Sequence, residues 1–485
     1  MKFGDVMGNR YLEGAFAPIR DEYTLTDLEV SGTIPGYLDG RYLRNGPNPV
    51  GDLDPALYHW FAGDGMVHGI RIRDGKAEWY RNRFVRGPVT SKALGEDFVV
   101  DPTTTSGVGA NTNVIGHAGK TLALVEAGFA PYELDEELDT LGICDFDGTL
   151  TGGYTAHPKR DPGTGELHAV SYSFGRRNLV QYTVIGADGR ARRAVDVEVT
   201  GNPMMHDFSL TEKYVVFYDL PVTFDTGLIV ERMNVPRALR LPARLLLSAL
   251  IGRVKLPNPP GSAEVTVPRD RRVPFRWNPK YPARVGVMPR AGGNADVRWF
   301  DIDPCFVFHP MNAYDDGETV VLDVVRYPKM FDVDRLGPND GAPSLDRWIV
   351  DLADGKVRQT RLDDRPQEFP RIDERLVGRR YRYGYATGVT EGVAPDSVLL
   401  KHDLRGGTAV KSFGEGKHLG EFVFQPSAPD AAEDDGVLMG YVYDATTDRS
   451  DLAILDAATL ETVASIHLPH RVPAGFHGNW VPTAS

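Results

Sequence analysis

Hydrophobic and polar positions in this chain change over short runs and seldom recur at helical spacing. Residues 121–125, 167–172, 214–218, 319–325 and 437–443 are such runs and read as strands. The segments DPGTGE, DDGE, ADGK, EDDG and DAATLE supply the turns that separate runs of this kind. Gly and Pro are spread along the whole chain and do not gather in a linker. Short strands at this spacing, over such a length, predict a sandwich array or a propeller. The last stretch reads as one four-stranded unit: EFVFQPSAP, VLMGYVYD, DLAILDA and TVASIHLP. No strict repeat is visible, so any blades have diverged, and no boundary divides residues 1–485 into separate domains.

Residues 236–256, PRALRLPARLLLSALIGRVKL, break the β pattern. Leu, Ala and Arg recur there at helical spacing, and arginines and a lysine flank an apolar stripe. Such a helix either lies in a membrane interface or caps a β core. The pattern alone favours neither.

Composition removes some function classes. At 485 residues the chain is long for one core, but closed all-β architectures are the exception to that expectation. The net charge of -13 argues against a nucleic-acid partner, since phosphate binding needs a basic face. Cys144 and Cys305 are the two cysteines. They make no disulfide framework and suit a reducing, cytoplasmic setting. Cys305 shares the alternation parity of His309 in CFVFH, yet reads more simply as a core residue. The opening segment MKFGDVMGNRYLEG carries no signal pattern. No run of about 20 apolar residues is present for a membrane-spanning helix.

Four histidines then draw attention: His157 in GGYTAHPKRDPGTGELHAVSYSF, His206 in NPMMHDFSLTEKYVVFYDL, His309 in PCFVFHPMNAYDDGETVVLDVV and His477 in GFHGNWVP. In the first three the histidine ends or follows an apolar run, then come a polar turn and a strand. This layout predicts imidazoles at strand ends near hairpins, where a fold that gathers strand ends around an axis would bring them together. Imidazole suits iron, zinc, copper and nickel. A structural zinc site would be closed and tetrahedral, with cysteines at short spacing, and none accompany these ligands. The usual iron set of two histidines and a carboxylate is also absent, so the missing anion must come from partners of the rings. Glu126 in LALVEAG, Glu368 in PQEFPRID and Glu421 in LGEFVFQP stand in apolar strand contexts. A buried carboxylate is costly unless paired. Each could pair with an arginine, such as Arg371 near Glu368, or could hold the outer ring nitrogen of a metal-bound histidine; taken with four histidines, the second role is preferred. His59, His68, His117, His168, His402, His418, His467 and His470 are read as ordinary surface or core residues.

Long motifs carry a resemblance. DGRYLRNGPNPV, YHWFAGDGMVHGI, ANTNVIGHAGKTLALVEAG, GGYTAHPKRDPGTGELHAVSYSF, MMHDFSLTEKYVVFYDLPVTFD, VRWFDIDPCFVFHPMNAYDDG, QEFPRID, EDDGVLMGYVYD and LPHRVPAGFHGNW resemble the carotenoid cleavage oxygenases, over roughly residues 11–482. That family includes lignostilbene dioxygenases and the retinal-pigment isomerohydrolase, and the chain resembles its actinobacterial members. The resemblance implies an all-β, seven-bladed propeller with a helical and loop cap over the metal-bearing face. It implies Fe(II) held by His157, His206, His309 and His477, with Glu126, Glu368 and Glu421 behind the rings. Thr112 matches a threonine that crowds a coordination position in some members. It further implies cleavage of a carotenoid or apocarotenoid double bond by O2 into two carbonyl products, and an apolar membrane-facing patch at residues 236–256. Val125 stands where stilbene-cleaving members carry a lysine, which favours a polyene over a phenolic substrate. A stilbene or phenylpropene oxygenase, an isomerohydrolase and a non-catalytic apolar-ligand carrier remain the alternatives.

Overall fold

The computed structural model describes residues 8–483 except 106–108, 174, 177, 234, 252–263, 335, 338–339 and 391–394. The predicted strands are present as Lys120–Leu124, Leu167–Tyr172, Tyr214–Asp219, Thr319–Tyr327 and Gly436–Asp444. The described strands form seven antiparallel sheets, the blades of a propeller, and one further two-stranded hairpin, and the five named strands fall in five different blades. The blades begin, in chain order around the ring, with the strands Gly40–Pro47, Asn113–His117, Lys159–Arg160, Ser209–Leu210, Phe306–Asp316, Gln367–Arg371 and Lys417–Leu419.

Burial explains the patterns seen in the sequence. Gly40–Pro47 is buried at every position, so its residues show no alternation. The strands Ala191–Glu198 and Lys356–Asp363, at the ends of their sheets, alternate between half-buried and exposed over most of their length. Their sequences ARRAVDVE and KVRQTRLD put charge on otherwise unpaired edges, which discourages pairing with another chain. Between neighbouring blades, buried rings interdigitate. Tyr218 of one blade meets Trp348 of the next edge-on, with ring centroids 6.2 Å apart.

Both chain ends close the ring. Gly478–Pro482 pairs with Gly40–Pro47, setting Gly478 opposite Arg44, so the C-terminal strand completes the first blade. Glu29–Gly32 pairs with Thr462–His467 and completes the last. Gly478 is needed in the closing strand, because a Cβ there would lie 2.6 Å from the Leu43 carbonyl oxygen.

The fourth blade carries the main insertion. Between Tyr214–Asp219 and Arg284–Pro289, which pair with each other, the chain forms a hairpin of Val222–Phe224 with Phe275–Trp277 and, among the described residues, two helices. An earlier helix, α1 (Pro88–Leu94), lies between the first two blades; those of the insertion are α2 (Thr226–Arg232) and α3 (Arg237–Leu250). Helix α3 falls within the predicted segment 236–256, of which 252–256 lie outside the described residues. It does not cap the β core: none of its side chains is buried. It is tied to α2, for instance by Thr226 Oγ1 and Ser248 Oγ at 2.8 Å. Leu239, Leu241, Leu245 and Leu246 are 56–66% exposed. Among the described residues no helix is long and apolar enough to cross a membrane.

Candidate metal centre

Each blade contributes one of the seven singled-out His and Glu residues to the centre of the ring. His477, Glu126, His157, His206, His309, Glu368 and Glu421 come, in that order around it, from seven different sheets. Each stands where ladder pairing starts, stops or slips. His157, His206 and His477 lie just before the strands Lys159–Arg160, Ser209–Leu210 and Gly478–Pro482, and Glu126 lies just after Lys120–Leu124. His309 sits within a register shift between Val307 and Pro310. Glu368 borders a slip that runs to Arg371 and includes Phe369 at φ 54°. Glu421 occupies the gap between Lys417–Leu419 and Val423–Pro426, which both pair with Gly436–Asp444. Irregularities of this kind re-aim side chains that a regular ladder would send to alternate faces. Three of the histidines were expected at strand ends near hairpins; His157 and His206 lie just before the short first strand of one, whereas His309 lies within its longer strand.

The four imidazoles are buried, and each offers a nitrogen that lies within 4.8 Å of the others. The Nε2 atoms of His206 and His309 are 3.1 Å apart. Nε2 of His157 is buried without a hydrogen-bond partner. Three rings are held from behind. His206 Nδ1 lies 2.6 Å from Glu126 Oε1, His309 Nδ1 2.6 Å from Glu368 Oε2 and His477 Nδ1 3.0 Å from Glu421 Oε1. A carboxylate that takes the proton on Nδ1 leaves Nε2 as a lone-pair donor, which is the tautomer a metal needs. Among the described residues His157 has no such partner: Asp207 Oδ2 is 3.9 Å from its Nδ1 and takes a hydrogen bond from Lys159 at 2.8 Å. These four rings, each offering a nitrogen to the same point, fit a metal ion bound by four neutral nitrogens.

The carboxylates are themselves held, by groups the sequence did not mark. Tyr172 donates its hydroxyl to Glu126 Oε2 at 2.9 Å, and Tyr327 donates to Glu368 Oε1 at 2.9 Å. Glu421 Oε2 accepts the Gly478 N–H at 2.8 Å and faces Arg371 Nη1 at 3.3 Å. Arg371, the alternative partner weighed for Glu368 in the sequence, faces Glu421 instead, and Glu368 takes the preferred role behind His309. Burial works against charge on Glu421, but Arg371 and then His477 outweigh it and hold the carboxyl down at about 2. Glu368 is likewise lowered, burial being overcome by His309. Burial pushes His157 well below the ordinary histidine value, and the neighbouring rings add to this. Burial lowers His477 too, against Glu421. Burial works against charge on His309, but Glu368, Asp207 and Glu421 together outweigh it, and its pKa rises.

Two cavities meet at the rings. An apolar one of about 320 Å³ reaches His206, His309 and His477 and is walled by Phe61, Phe129, Phe275, Phe308 and Phe476 among others. Thr112 and Val125 also line it. The Thr112 hydroxyl donates to Asn111 Oδ1 at 2.9 Å, and its carbonyl accepts the His477 N–H. A polar cavity of about 780 Å³ reaches His157, His309 and His477 from the other side, with Lys159, Asp207 and Arg371 in its wall. Cys305 is fully buried in the hydrophobic core and lines neither cavity. Of the other histidines, His68 and His168 bond the Tyr80 and Tyr182 hydroxyls, and His402 bonds Gln367. None joins a second metal-like cluster among the described residues.

Comparison with known proteins places this geometry. The model of the family described as Retinal pigment epithelial membrane protein matches residues 16–482. A carotenoid cleavage oxygenase of Mycobacterium tuberculosis is 58% identical over 491 residues, covering 98% of each chain. A carotenoid 9,10(9',10')-cleavage dioxygenase 1 of Arabidopsis thaliana is 34% identical, covering 97% of this chain and 89% of that one. Among solved structures, the lignostilbene dioxygenase of Pseudomonas brassicacearum aligns with a TM-score of 0.80 at 28% identity, covering 99% of this chain and 100% of that one.

Proposed function

The chain belongs to the Retinal pigment epithelial membrane protein family of carotenoid oxygenases, and from that premise we propose that it is an Fe(II) dioxygenase. Its substrate is a carotenoid or apocarotenoid, one conjugated C=C bond of which is cleaved with O2 into two carbonyl products. The observation that carries this reading is the apolar cavity of about 320 Å³ opening onto three of the four rings. It offers room for a section of an extended polyene and few groups for a polar one.

His157, His206, His309 and His477 hold the metal in this reading. When bound, Fe(II) supplies the coordination positions that the four imidazoles leave open and the electrons with which dioxygen is activated. Glu126, Glu368 and Glu421 fix the rings and bring negative charge that the imidazoles lack. Thr112, its hydroxyl spent on Asn111, crowds one side of the site without offering a free donor. The phenylalanines exclude water and align the polyene. Val125 keeps the wall apolar where a phenol would need a cation. The exposed leucines of α3 dock the protein at a lipid surface, from which so apolar a substrate must be drawn.

The test is incubation of Fe(II)-loaded protein with carotenoids, apocarotenals and stilbenes under labelled dioxygen, with carbonyl products identified by mass spectrometry. Label in an aldehyde product, with exchange against water controlled, is the expected result. Oxygen uptake separates cleavage from isomerohydrolysis, which consumes none. The structural likeness to a lignostilbene dioxygenase supports stilbene cleavage as the second reading. Untouched polyenes beside a rapidly cleaved hydroxystilbene would establish that reading and leave the iron assignment standing.

A further inference from the structure

The buried charges around the four rings do not sum to that of the three glutamates. Each carboxylate accepts hydrogen bonds on both oxygens: Glu126 from His206 and Tyr172, Glu368 from His309, Phe369 N–H and Tyr327, Glu421 from His477 and Gly478 N–H. Groups surrounded by donors are ionised, so the three bring three negative charges. Asp207 and Lys159 cancel at 2.8 Å. Arg371 is the remaining partner, with Nη1 3.3 Å from Glu421 and a side chain only 13% exposed. Its other contacts are the Gly478 carbonyl at 3.1 Å, Asn479 Oδ1 at 2.9 Å and Glu374 at 2.5 Å, the last 52% exposed and so screened by water. One buried positive charge against three negative ones leaves two, which a divalent ion neutralises and a trivalent one oversteps.

We propose that Arg371 is a positioning residue that sets the oxidation state of the metal centre: by neutralising Glu421 it makes the site electroneutral with Fe(II) and disfavours Fe(III). This rests on the iron reading above. The reaction it suppresses is loss of one electron from Fe(II) to dioxygen without substrate, giving Fe(III) and superoxide. Arg371 reaches the metal only through charge and through Glu421, one carboxylate behind the His477 ring. Among the described residues neither Glu126 nor Glu368, each held by a tyrosine hydroxyl, has such a counter-charge.

The experiment is a mediated redox titration of iron-loaded protein, with high-spin Fe(III) read by electron paramagnetic resonance, beside the rate of ferrous oxidation in air without substrate. Arg371→Met leaves one negative charge in excess over Fe(II). It should favour Fe(III) about tenfold or more, a potential lower by about 59 mV per tenfold for one electron. Glu421→Gln should move the potential the opposite way, and the double variant should return it toward wild type. Arg371→Lys retains the charge and should stay near wild type even where Arg371→Met fails to fold. With that lysine variant, the Glu421→Gln shift still gives a sign to compare. A merely structural role would weaken metal binding in both single variants without opposite shifts. Shifts of the same sign, or a potential that ignores both Arg371→Met and Glu421→Gln, would overturn the proposal. Wild-type protein that binds no iron at all would overturn the functional reading with it.

Discussion

Replacing Glu368 with Gln isolates what a buried carboxylate contributes to the metal centre. Gln has the same shape. Its amide oxygen can face His309 Nδ1–H and the Phe369 N–H, and its NH2 can face Tyr327, whose hydroxyl turns to accept. The ring therefore stays where it is, and charge is what is lost. Charge-assisted hydrogen bonds contribute about 1.5–3 kcal/mol and neutral ones about 0.5–1.5. The difference of about 1–1.5 kcal/mol corresponds to roughly tenfold in binding. Lost attraction to the ion itself adds to this, because the Glu368 side chain is only 3% exposed and little water screens it. A total of about 10–100-fold in metal affinity follows, in line with partners of metal-bound rings generally. Glu126, with a side chain 15% exposed, should lose less on the same substitution. The assay is competition between metal-free protein and a chromophoric chelator for Fe(II) or Co(II), at fixed pH. Unchanged affinity in Glu368→Gln, or a larger loss in Glu126→Gln, would refute the reasoning.

Three further outcomes are expected. His157→Ala should abolish tight metal binding in the same competition assay although its ring has no carboxylate behind it; full binding would remove it from the ligand set. His168 and His402 are pushed down to about 4, chiefly by burial, so below about pH 6.5 the unfolded chain takes up protons the folded one refuses. Stability of the metal-free protein should thus be full above pH 6.5 and fall by a few kcal/mol toward pH 4, and a urea midpoint equal or higher at pH 5 than at pH 8 would contradict this. Polar replacements of Leu245, Leu246 and Leu247 on α3 should reduce co-sedimentation with liposomes while leaving the unfolding midpoint in place; unchanged liposome binding would end the docking model.

The strands were legible because alternation and turn residues are local signals, and each run named in the sequence has its strand within two residues at either end. The four histidines and three glutamates were legible because polar groups in apolar runs are conspicuous. What holds them was not. Tyr172 and Tyr327 look like any other core tyrosine, and nothing near them in sequence names a carboxylate 46 or 41 residues away. The partner of Arg371 depends on a slip of the ladder between Glu368 and Arg371. Proximity in sequence suggested Glu368, and the slip gives Glu421. For α3 the same amphipathic pattern serves a buried and an unburied helix alike, and only its neighbours, here α2, decide between them.

The arrangement also explains why so irregular a set of local sequences builds one centre. In a propeller the innermost strands converge, and a regular strand directs its side chains alternately into the packing between blades. A residue aimed at the axis must escape that alternation. Strand starts provide this for His157, His206 and His477, a bulge for His309, a left-handed residue beside Glu368 and a broken strand for Glu421. Because the four histidines and the three glutamates come from seven sheets, a metal held by the four rings would draw on the whole closed ring. His477 and Glu421 belong to the first and last blades, and the Gly478 N–H on Glu421 sits at the seam where the C-terminal strand completes the circle. The histidine cluster and the closure of the fold thus share one short segment, in which His477 joins the cluster and Gly478 lets the closing strand approach Leu43.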